Sequence, residues 1–149
     1  MPFRFPLKAL QRLRAIYERR EGQRLGALTH QLTAAQNLLA TLKQGQLEDA
    51  GLLADSLQRG MTGAEVHFQV MCSFARLRRI KLAAQVVESL TQQRERQLIE
   101  YRQARQKLEV ITRLYQRQFA AYRRTQARRD QQQATDMFLF RSHPAIDGQ

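Results

Sequence analysis

At 149 residues, with seven Phe, four Tyr and no Trp, the chain is long enough for one domain. Its composition suits long helices with a narrow apolar seam better than a globule around a three-dimensional core. The formal net charge of +12 calls for an acidic partner, whether nucleic acid, anionic lipid or an acidic protein surface, and charge alone does not choose among them.

No stretch approaches the ~18 apolar residues of a membrane span. The opening Met1-Pro2-Phe3-Arg4-Phe5-Pro6 lacks the apolar core of a secretory signal, so a cytoplasmic protein is expected. A single cysteine, Cys72, excludes an internal disulfide and fits a reducing compartment.

The three prolines, Pro2, Pro6 and Pro144, all lie near the ends. Proline inside a helix costs roughly 3 kcal/mol and glycine about 1, so the interval between Pro6 and Pro144 reads as helical, broken where Gly60 and Gly63 cluster. The expected fold class is all-α: a two-helix antiparallel coiled-coil hairpin with the C-terminal helix longer, forming a single domain over 1–149.

Residues 1–6 read as extended, since prolines disfavour helix in the residues before them. Helix 1 is predicted over about 6–58, with Leu10, Leu13 and Tyr17 as its first apolar positions. Arg19 to Arg24, with Gly22 and Gly26 around it, reads as a slip in heptad phase. After it, Leu25, Leu28, Leu32, Ala35, Leu39 and Leu42 alternate three- and four-residue steps, a heptad seam.

A turn is predicted at about 59–63. Thr62 and Glu65 have the T-x-x-E spacing of a capping box, and Gly60 suits a left-handed helix end. Helix 2 is predicted over about 64–140. Its apolar positions include Val66, Phe68, Val70, Met71, Phe74, Leu77, Leu82, Val86, Leu90, Leu98, Tyr101, Leu108, Ile111, Tyr115, Phe119 and Tyr122. With the turn off-centre, Leu25 falls opposite Leu98 and Leu10 opposite Arg113. Helix 1 then runs out near residue 117 and helix 2 overhangs. Residues 142–149 are expected to be disordered, because Pro144 and Gly148 end any helix.

The chain carries no Gly-rich phosphate loop, no H-x-x-x-H pair and no Cys/His cluster; His30, His67 and His143 stand far apart. No enzyme activity, cofactor or metal site is expected. The run Arg76, Arg78, Arg79, Lys81 reads as a solvated face. Residues 94–129 differ, holding 11 Lys/Arg against 3 Glu where a solvated helix usually balances its signs.

Tyr101, Tyr115, Phe119 and Tyr122 interleave with those bases. They read either as seam or as stacking platforms for single-stranded nucleic acid, and the continuity with Leu108 and Ile111 favours seam. Phe138, Leu139 and Phe140, with Met137, lie beyond the paired region and read as a docking segment in preference to a fold-back. Phe68, Met71 and Phe74 near the turn read as core by default, with a partner site at the hairpin tip as the alternative.

The opening Phe3-Arg4-Phe5-Pro6-Leu7 and Gln11-Arg12-Leu13-Arg14 carry a resemblance, together with Tyr101-Arg102, Lys107-Leu108, Leu114, Arg117-Gln118, Arg128, Asp130-Gln131 and Asp136. With the length and the hairpin, these resemble the FliJ family of flagellar type III export proteins, with injectisome stalk proteins next nearest. Where that family often carries an Asp-Glu pair before the terminal aromatic, this chain has Asp136-Met137.

The resemblance implies a cytoplasmic, non-enzymatic stalk or escort, peripheral at the inner face of the membrane through its partners. Those partners are a hexameric export ATPase, the cytoplasmic domain of the export gate, and escort chaperones. By the resemblance Arg117, Gln118, Arg128 and Asp130 face the ring, and the basic stretch adds Arg113 and Arg124. Phe68, Met71 and Phe74 are assigned to the gate side by position. The alternative function is a basic coiled coil that binds nucleic acid; under the first reading no nucleic acid is expected.

Overall fold

The structure, a computed structural model, describes residues 1–143. Two helices pack against each other as a hairpin: α1, Lys8–Arg59 (52 residues), and the longer α2, Gly63–Ser142 (80 residues). The tail expected to be disordered falls, from Pro144 onward, outside the described residues.

Local chemistry sets the helix ends. Proline at position 6 disfavours helix at the preceding Phe5, and just after it the Leu7 carbonyl accepts the first i,i+4 bond, from Gln11 N–H at 2.9 Å. At the other end of α1, Gly60 has φ 93°, and its N–H donates to Leu57 O at 3.3 Å. A side chain there would be strained, which is why glycine closes the helix. The capping box forms as its spacing predicts. Thr62 N–H donates to Glu65 Oε2, and Glu65 N–H to Thr62 Oγ1, both at 3.3 Å.

The chain divides into two compact units. One is Arg19–Gln103 and contains the turn. Its seam on α1 runs Glu21, Leu25, Leu28, Leu32, Ala35, Leu39 and Leu42 in unbroken steps of three and four. On α2 the inward positions are Val66, Ser73, Arg76, Ile80, Ala83, Val87, Leu90, Gln97 and Tyr101.

The expected phase slip at 19–24 is absent; what weakens that zone is polarity. Glu21 sits in the seam, buried, and two donor groups satisfy its acceptors with three hydrogen bonds. Gln97 Nε2 donates to its carboxylate and, at 3.2 Å, to its main-chain carbonyl, while Arg24 Nη1 reaches Oε1 at 3.3 Å. A buried carboxylate is tolerated only when so satisfied. Gly22 leaves room for the Tyr101 ring, since a Cβ there would lie 3.2 Å from Tyr101 Cε2. Arg94 Nε donates to Thr29 Oγ1 at 3.2 Å, and Asp49 pairs with Arg76. These polar pairs hold register, as isolated polar seam positions do in coiled coils.

The other unit joins Met1–Glu18 to the chain from Ala104 onward. Its inward positions on α1 include Arg14 and Glu18, whereas Leu13 and Tyr17, expected as seam, are exposed. Both are large apolar residues one position away from the inward-facing polar ones. On α2, Ala104, Leu108, Ile111, Tyr115, Gln118 and Tyr122 keep the heptad spacing inward. The core here is Ile111 with Phe5, each 7% exposed.

Candidate functional site

Two regions carry the candidate residues. In the turn-containing unit, Phe68 (64% exposed), Met71 (57%) and Phe74 (64%) lie open to solvent, as do Val70, Leu77 and Leu82. Their default reading as core is thereby overturned. The heptad explains it: Val66, Ser73, Arg76 and Ile80 take the inward positions, leaving the bulkiest residues on outer ones. On α1 in the same unit, Leu47, Leu52 and Leu57 are exposed as well. Of the basic run, Arg76 is engaged by Asp49, while Arg78, Arg79 and Lys81 are exposed.

In the other unit, the aromatic stripe is covered from an unexpected quarter. Phe3 lies edge-on to Tyr115 (ring centroids 5.6 Å) and Phe119 (5.4 Å) and tilted against Tyr122 (5.4 Å). Phe5 meets Tyr115 edge-on at 5.2 Å. Tyr122 O–H donates to the Met1 carbonyl. Pairing therefore reaches Tyr122, further than the expected limit near 117, because the extended N-terminal segment continues where α1 stops.

Phe3 and Phe5, which carry part of the family resemblance, also pack on α2, and that packing is not among the sequence expectations. The signal was present: two aromatics two apart, bounded by Pro2 and Pro6, have the period of an extended segment with one apolar face.

Of the residues assigned to a ring partner, Arg113, Arg117, Arg124, Arg128 and Asp130 are exposed. Gln118 is half-buried, on the inward spacing of Ile111 and Tyr115. Every residue from Ala127 to Ser142 is exposed although the helix is unbroken there. Arg128, Gln131, Gln132, Thr135 and Asp136 line a shallow groove along this stretch. Phe138, Leu139 and Phe140 (89% exposed) follow along the helix, and all three are open to solvent. One helix thus offers bases, amides and then large apolar groups in succession.

Among the described residues, no group of three or more His, Cys, Asp or Glu could hold a metal ion, and no helix is long and apolar enough to cross a membrane. No curated protein and no solved structure matches the chain significantly. The family model described as "Flagellar FliJ protein" matches residues 3–141, nearly the whole length. The chain therefore belongs to the FliJ family and is a flagellar export-related protein.

Proposed function

We propose that this protein is a non-enzymatic stalk and escort of the flagellar export apparatus, whose free helical end enters a hexameric export ATPase and stimulates it. The observation that carries the reading is the stretch Ala127–Ser142, helical yet exposed at every residue. An isolated helix in water gains little from propensity alone and is normally stabilised by packing. A long unpaired stretch is what a partner that encloses it would require. The ring-facing set is Arg113, Arg117, Gln118, Arg124, Arg128 and Asp130, and Phe138, Leu139 and Phe140 dock deepest.

Phe68, Met71 and Phe74 form the second contact, with the cytoplasmic domain of the export gate; their exposure supports this. Escort chaperones are a further partner class, and peripheral association with the inner face of the membrane follows from these partners.

The test is the hydrolysis rate of the cognate ATPase with the purified protein added at substoichiometric amounts. Stimulation is expected. An active ring that is neither bound nor stimulated would end this reading.

A further inference from the structure

The first five residues complete the packing, and they also place a charge. In an extended segment successive side chains alternate in direction. Phe3 and Phe5 turn onto Tyr115, Phe119 and Tyr122, and Arg4 between them is exposed. Lys8 and Arg12 follow, also exposed. The same unit exposes Arg117 and Arg124 on α2.

We propose that the N-terminal segment is itself part of the interface that this end presents to an acidic protein surface: Arg4 is a contact residue, and Phe3 and Phe5 are positioning residues that hold it against α2. This rests on the reading that this end docks on a partner protein. The chemistry favours protein over other polyanions. A single-stranded nucleic acid needs open aromatic faces to stack on, and here Tyr115, Phe119 and Tyr122 are each already in ring contact with Phe3. A lipid surface would draw on outward apolar groups of this segment, whereas Phe3 and Phe5 are packed onto α2 and Arg4 is what the segment exposes.

The experiment measures affinity of the full-length chain for two probes at low and near-physiological salt. The probes are the cognate hexameric ATPase and labelled poly-L-glutamate, which reports acidic chemistry alone. Arg4→Glu is expected to weaken both roughly 3- to 10-fold and to flatten the salt dependence, with helical content unchanged. Phe3→Ala/Phe5→Ala keeps every charge yet is expected to weaken both by a similar factor. Arg4→Glu added to that pair then changes binding by less than about twofold, because the charge is no longer held in place.

Parental affinity in Arg4→Glu, or full additivity of the two changes, overturns the proposal. A purely structural role for the aromatics would lower thermal stability and leave the cycle additive. If Phe5→Ala impairs folding, Phe3→Ala alone completes the cycle. If the parent chain binds poly-L-glutamate with this pattern but not the ATPase, the ring reading fails and the role of the segment stands.

Discussion

The two compact units solve the same packing problem in opposite ways. The unit of Met1–Glu18 with the chain from Ala104 onward holds 13 of the 25 Lys and Arg and 5 of the 13 acids; the turn-containing unit holds the remaining 12 and 8. The first unit packs an N-terminal segment on Tyr115, Phe119 and Tyr122, exposes bases, and leaves Phe138, Leu139 and Phe140 open near the end of its long helix. The second mixes small and polar residues such as Ser73, Ala83 and Gln97 into its apolar seam, and exposes Phe68, Met71 and Phe74. The first unit thus offers charge together with an apolar helical terminus, and the second offers apolar area with a smaller excess of charge. These are different recognition chemistries, because steering by charge weakens with salt and burial of apolar area does not.

The largest effect separates inward from outward apolar residues. Leu32 is 7% exposed and Phe68 is 64% exposed within one unit. Leu32→Ala is expected to cost about 2–4 kcal/mol in denaturant unfolding, and Phe68→Ala less than about 0.5. Equal losses would mean that the outer position is part of the core after all.

Next is the covering segment. Phe5→Ala removes the only buried aromatic among the described residues, and a loss of about 2 kcal/mol is expected, confined to its own unit. Hydrogen exchange should speed at the amides of Lys8 and Gln11 while those around Leu32 keep their protection. Protection falling evenly in both units would show that they do not open separately.

The polar layer in the turn-containing unit comes third. Glu21→Ala strips the Gln97 amide of its carboxylate acceptor and should cost about 1–2 kcal/mol, with Glu21→Gln costing less. Unchanged stability in Glu21→Ala would argue that water serves that amide equally well.

The smallest contrast is between two glycines. Gly26 has nothing within 4 Å of a Cβ, so Gly26→Ala should stabilise by about 0.5–1 kcal/mol through helix propensity. Gly22→Ala should gain less, since the new Cβ presses on Tyr101 at 3.2 Å. Equal gains, seen as equal rises in melting temperature, would show that the ring shifts freely.

Much of this was legible in the sequence, for reasons that differ by element. The hairpin follows from the proline-free interval, and the turn from a capping box that depends only on Thr62, Glu65 and their spacing. The Leu25–Leu42 seam was readable because its apolar residues coincide with its inward positions. Elsewhere that coincidence fails. Inward positions hold Glu18, Glu21, Ser73 and Arg76, and large apolar residues sit beside them, so an apolar-pattern reading drifts onto Leu13, Tyr17 and Phe74. Phe3 and Phe5 were missed because their partners lie more than a hundred residues away in the chain, a distance that no local period spans.

The most direct test compares two full-length variants in one ATPase assay. Arg117→Glu/Arg124→Glu/Arg128→Glu reverses the basic end, and Phe68→Ser/Met71→Ser/Phe74→Ser strips the apolar face, both at exposed positions. Loss of stimulation in the first, at least tenfold, with near-parental stimulation in the second and unchanged helicity in both, is the expected result. Stimulation that survives the reversal, or that is lost instead with the apolar face, would contradict the account.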